Sequence, residues 1–211
     1  METHIFTKKE EVANAITHGV GAILSIAMLV LLITFSSLDG SFWKITAATI
    51  YGATMLLLFL SSTLVHSFPQ GKVKDLFEIF DHASIYLFIA GSYTPILLIP
   101  LRGELGWTLF GIVWSAAIIG VIFKIFFVKK FVVLSTLLYV LMGWMIVFAW
   151  DALTASLAPG GLTFLIAGGL AYTIGAVFYV WRGFIHHHMV WHLFVLIGAV
   201  LHFVTIFFYI I

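Results

Sequence analysis

The chain has 211 residues, of which 63% are hydrophobic and only 9% charged, against about 25% charged in an average soluble domain. That composition excludes a soluble core of any size, and a formal net charge of +1 without basic tracts or acidic tails offers nothing to nucleic acid. Cysteine is absent, so disulfides and thiolate metal sites are excluded and a metal could be held only by His, Asp or Glu.

The head, 1–17, carries Lys8, Lys9, Glu10 and Glu11 and leads into an apolar stretch too long for a signal-peptide core, so that stretch is expected to stay as a first span. A bilayer core about 30 Å thick takes roughly 20 apolar residues in a helix. Runs of that order occupy 18–36, 45–66, 80–100, 107–127, 131–150, 161–181 and 188–210. They predict an all-α polytopic membrane protein, a single domain over 1–211 of seven transmembrane helices. The fourth break rests on Lys129 and Lys130 alone, because 107–150 as one helix would overshoot the membrane. Pro95 is expected to kink the third run, and Gly168, Gly169 and Gly175 to let the sixth approach a neighbour closely.

Short loops rich in Lys and Arg stay cytoplasmic. Alternation of the loops puts Lys8, Lys9, Lys72, Lys74, Lys124, Lys129, Lys130 and Arg182 on one side and Lys44 and Arg102 on the other. The N-terminus is therefore expected in the cytoplasm and the C-terminus outside.

In that topology His18, His66, Asp81, His82, His188 and His192 all fall at the cytoplasmic ends of spans. Ionisable groups within spans are costly and mark functional sites. His188 and His192 are spaced i, i+4, which stacks two imidazoles on one face for two-point capture of a metal. His66 supplies a third ligand, Ser62 lies a turn before it, and Asp81 sits at the matching depth to orient or deprotonate a water. An all-imidazole site suits zinc, which would lower the pKa of a bound water toward about 7.

Blander readings stand beside these. His4, His186 and His187 read as interfacial residues facing headgroups, and His82 as packing or support for the ligands. His202 lies about 15 Å beyond His192 along the helix, too far to share the metal, and reads as a buried, hydrogen-bonded histidine. Ser62 could bond its own i−4 carbonyl. Glu11, Asn14 and His18 share a helix face that could belong to an amphipathic segment lying on the membrane.

Glu11, Asn14 and His18, then Ser62-x-x-x-His66 with Asp81, then His188-x-x-x-His192 with His202, resemble in order the progestin and adipoQ receptor family and its bacterial hemolysin III branch. The resemblance covers essentially the whole chain. It implies a seven-helix protein of the bacterial cell membrane with the N-terminus inside and a zinc ion held by His66, His188 and His192, with Asp81 and Ser62 beside it. The family's adiponectin receptors and alkaline ceramidases suggest hydrolysis of a lipid amide, and the branch name suggests lysis of cells. The short head and the absence of an extracellular ligand-binding extension depart from the receptor branch, so no protein-hormone partner is expected. The reading that follows is a zinc-dependent intramembrane hydrolase of a lipid amide or ester, in which Asp81 acts on the water and Ser62 donates to the developing oxyanion. A cytolytic factor with structural zinc, or a sensor of membrane composition without turnover, remains the alternative.

Overall fold

The computed structural model describes residues 6–211, so His4 lies outside the described residues. It is all-helical: α1 (Lys8–Leu38), α2 (Phe42–Ser67), α3 (Lys72–Leu98), α4 (Glu104–Phe127), α5 (Val132–Gly143), a short 3₁₀ helix (Met145–Ala149), α6 (Trp150–Ser156), α7 (Pro159–Val180) and α8 (His187–Tyr209). Among the described residues six segments are long and apolar enough to cross a membrane, Val132–Ser156 counting as one across its break. α3, whose first turns carry Lys72, Lys74, Asp75, Glu78 and Asp81, is not among them. From Ala83 onward α3 is largely buried, packed between α2 and α4.

Local chemistry explains the helix boundaries. Thr7 caps α1 in a reciprocal capping box with Glu10, which satisfies two backbone donors and contributes about 1 kcal/mol. α1 then runs unbroken into the bundle with Asn14 and His18 buried on its inner face. The alternative of a separate segment lying on the membrane is therefore not what forms. Lys129 and Lys130 do lie in a turn, between α4 and α5.

The expected fifth span is where the structure departs most from a plain helix. The α-helix stops at Gly143 and resumes at Trp150. The buried Tyr93 of α3 serves the opened backbone: its hydroxyl donates toward Met142 O (3.0 Å) and Gly143 O (2.6 Å) and accepts from Ile146 N (3.0 Å). Non-helical backbone at membrane depth persists only where protein or water takes its hydrogen bonds. The break faces inward, since Gly143, Trp144, Ile146 and Val147 all line a central cavity.

α7 and α8 pack closely because α7 offers glycine where α8 offers rings. A Cβ on Gly168 would fall on the His202 ring, and one on Gly175 would meet Phe194 and Trp191. With little hydrophobic force between helices in lipid, such small-residue contacts carry much of the association.

Candidate metal centre

α2 ends in His66, and α8 begins with His187, His188 and then His192 one turn on, so the contact of these two helix ends brings three imidazoles together. Ring centroids are separated by 5.1 Å (His66–His188), 5.2 Å (His66–His192) and 4.5 Å (His188–His192). One ligand nitrogen from each lies within 4.8 Å of the others, and all three residues are buried. Three imidazole nitrogens gathered this closely could hold one metal ion between them.

The surrounding hydrogen bonds fix which nitrogen two of the three rings, His66 and His192, can offer. His66 Nδ1 donates to Glu11 Oε2 at 2.6 Å, which leaves Nε2 as a buried lone pair with no partner. His192 Nδ1 lies 3.2 Å from Asn14 O, a group that can only accept, so it too is protonated and Nε2 is left to ligate. Thr17 Oγ1 flanks the same nitrogen at 3.3 Å. Glu11 is held in turn by Lys74 Nζ (2.8 Å), which also caps Val65 O (2.7 Å). A carboxylate or carbonyl behind each ligating histidine is how metal sites fix tautomer and raise ligand basicity. The donor set therefore fits a divalent metal, and Glu11 and Asn14 have a structural reason to accompany it that spacing alone did not reveal.

No carboxylate joins the three-histidine group among the described residues. Asp81 instead faces the cavity beside it, with Oδ2 3.5 Å from His82 Nδ1. Ser62 does not bond its i−4 carbonyl. Its neighbour Ser61 does, to Leu57 O at 2.5 Å, while Ser62 Oγ is fully buried without a protein partner and its residue lines the cavity. His18 stacks on His192 with centroids 3.5 Å apart, and both its ring nitrogens are buried without partners. His82 Nδ1 lies 2.8 Å from Glu78 O and Nε2 3.1 Å from Tyr179 Oη, which ties it to its own helix and to α7. His187 corrects the expectation of an interfacial residue. It is 2% exposed, near Phe6, Phe184 and His188, because the turn before α8 tucks its first residue beneath the head of α1.

Two cavities of opposite character meet at this cluster. One runs from Ser62, His188 and His192 past Phe88, Ile89, Tyr172 and Val195 to Leu153 and Leu165. The other is bounded by Glu11, Gln70, Lys74, Glu78, Lys129 and Arg182. Asp81, His82, Tyr179 and His188 belong to both. They form the wall between an apolar chamber and a polar vestibule.

Fold and site together define a multi-pass helical membrane protein with a buried three-histidine cluster that a metal ion could occupy. The profile of the family described as Haemolysin-III related matches residues 6–203. The chain is 53% identical to the Hemolysin-3 homolog of Bacillus subtilis (strain 168), over 97% of this chain and 96% of that protein. It is 52% identical to Hemolysin-3 of Bacillus cereus, over 96% and 92%, and 33% identical to the human Monocyte to macrophage differentiation factor, over 93% and 83%. The chain belongs to the haemolysin-III-related family.

Proposed function

We propose that this protein is a zinc-dependent intramembrane hydrolase that cleaves a lipid amide or ester from the cytoplasmic leaflet, with zinc held by His66, His188 and His192. The observation that carries this reading is the position of the cluster: Asp81 and His188 stand on the wall where the apolar chamber meets the polar vestibule. A lipid hydrolase needs that combination, since an acyl chain requires an apolar recess and the attacking water a polar supply. Zinc bound at the three imidazoles would act as a Lewis acid and lower the pKa of a water toward about 7. Asp81, outside the ligand group, would take the proton. Ser62 Oγ, a buried donor without a partner, is available to a developing oxyanion.

The test is Asp81→Asn. The amide is nearly isosteric and leaves the three ligands untouched, so the variant should retain zinc while turnover of ceramide-like amides or esters falls about 10² to 10⁴-fold, the usual cost of losing a general base. Full turnover in this variant sinks the assignment of Asp81, and no turnover by wild type on any lipid amide or ester sinks the hydrolase reading.

In the same proposal α3, about 40 Å long at the helical rise, is the seventh span, and the end bearing the histidines faces the cytoplasm. Lys74, Lys129 and Arg182 gather at the vestibule, whereas Lys44 lies at the opposite end against the C-terminal residue. Reporter fusions after Lys74 and Lys130 should read cytoplasmic and fusions after Gly40 and Ile211 external. An external signal after Lys74 reverses the orientation.

The relatives' names favour a second reading, cytolysis, since two of them are called hemolysins. The apolar lining of the main chamber argues against a water-filled pore. Lysis of red cells by purified protein that survives Asp81→Asn would favour this reading over the hydrolase.

A further inference from the structure

His202 sits in the wall of the apolar chamber, ten residues and therefore about 15 Å along α8 from His192. Its Nε2 lies 3.2 Å from Leu165 O. A backbone carbonyl can only accept, so Nε2 carries the proton and Nδ1 of the neutral ring is a lone pair. The packing points the same way. The Cδ2–Nε2 edge is pressed against α7 at Gly168, where a Cβ would fall 2.3 Å from Cδ2 and 2.7 Å from Nε2. The Nε2 bond is the ring's one hydrogen bond among the described residues, and the residue is only partly buried although it lies inside the bundle. The residue lines the chamber. Tyr172, edge-on to His202 with centroids 5.3 Å apart, lines the chamber beside it and has a buried hydroxyl with no partner.

A hydrogen-bond acceptor in an apolar recess with nothing from the protein to satisfy it is costly unless a bound group fills it. We propose that His202 Nδ1 is a second polar subsite, which accepts a hydrogen bond from a hydroxyl carried in mid-chain by an acyl ligand whose head lies at the three-histidine cluster. The subsite rests on the reading of the chamber as an acyl-chain site. It makes the ligand a chain with two polar points set apart by the distance between His192 and His202, and it gives His202 a role in selectivity that involves no contact with the metal. Gly168 belongs to the same device, because any side chain there would displace the ring that carries the acceptor.

The experiment measures binding to the full chain in lipid nanodiscs, with stearate, a mid-chain hydroxystearate and a hydroxystearate bearing its hydroxyl next to the carboxyl as probes. In wild type the mid-chain hydroxyl should be tolerated or preferred relative to stearate. In His202→Leu the ratio of mid-chain hydroxystearate to stearate affinity should fall about fivefold or more, since the buried hydroxyl loses its acceptor. The other hydroxystearate should follow stearate in both proteins, and His202→Gln, which retains an acceptor, should restore part of the preference. Unchanged stearate binding in the variants reports an intact chamber. Should His202→Leu fail to fold, nitrogen NMR of wild type decides: the His202 Nδ1 resonance should move with mid-chain hydroxystearate and stay still with stearate. An affinity ratio indifferent to His202, or a resonance that both probes move alike, overturns the subsite and leaves the chamber reading standing. Failure of all three probes to bind removes the chamber reading, and the subsite falls with it.

Discussion

The two ends of the bundle treat their polar groups in opposite ways. At the end formed by the α1–α2 turn, the α3–α4 turn and the C-terminus, charges are answered locally. Lys44 Nζ reaches Asp39 Oδ2 (3.0 Å) and Ile211 O (2.9 Å), and Arg102 lies 5.2 Å from the centroid of Trp43, itself edge-on to Trp107. Of the buried polar atoms without partners among the described residues, only Ser36 Oγ lies there. At the histidine end, both amide atoms of Asn14, both ring nitrogens of His18, Ser62 Oγ and His66 Nε2 are buried without partners. Each such group costs about 1–3 kcal/mol unless something bound takes the bond. One end is anchored; the other keeps buried polar atoms that the protein itself does not answer.

The sharpest way to test this contrast is to remove the metal proposed at the three histidines. A metal that binds only the folded protein adds RT ln(1 + [L]/Kd), about 2.7 kcal/mol at a hundredfold excess over Kd. Chelation should therefore lower the thermal midpoint of wild type and release about one zinc per chain. The His188→Ala, His192→Ala double variant should hold no metal and be indifferent to chelator. Metal retained by the double variant would move the site off α8. His202→Leu should keep its zinc, because Leu165 and the chamber, and not the cluster, surround that ring.

A smaller effect belongs to Glu11. Its carboxylate joins His66 Nδ1 to Lys74 Nζ and so connects the first turns of α1 to the end of α2 and the start of α3. Glu11→Gln keeps an acceptor but loses the charge, and loss of such support typically weakens metal affinity about 10- to 100-fold. Zinc titration should show that drop with the stoichiometry unchanged. Unaltered affinity would reduce Glu11 to a fold-holding ion pair.

How much of this the sequence disclosed follows from what each signal encodes. The apolar runs and the Lys129–Lys130 turn were legible because membrane thickness imposes helix length, and His188 with His192 because i, i+4 spacing fixes one face. His66 was legible from its depth. Hydropathy says nothing of which faces meet, so the Glu11–His66 contact, the stacking of His18 on His192 and the burial of His187 appear only in the folded chain. The break at Gly143 was hidden for a related reason. Residues 132–156 are apolar throughout, and what permits the α-helix to open is a hydroxyl fifty residues away, on Tyr93. Asp81 marks an intermediate case: its depth was readable, but its place between chamber and vestibule was not.

The smallest effect tests whether every charge at the histidine end matters, and the expectation is that the outermost do not. Lys129, in the turn before α5, donates to Asp75 Oδ1 at 2.6 Å and lies 3.6 Å from Glu78 Oε2. Its side chain is 47% exposed and that of Asp75 55%, so water and salt screen the pair and its contribution belongs in the range of about 0–1 kcal/mol. The hydrogen bond to Asp75 holds the ammonium above the usual lysine range. A cation whose pKa is raised on folding contributes its full stabilisation below the unfolded value and loses it only as pH rises through the folded one. The contribution of the pair should thus stay flat from neutrality up to about pH 10 and fade beyond it. Lys129→Met should lower the thermal midpoint slightly, by less in high salt than in low, and leave zinc content unchanged. A loss of metal in this variant would show that the vestibule charges are coupled to the histidine cluster, and the division between a screened rim and a buried interior would have to be drawn deeper in the bundle.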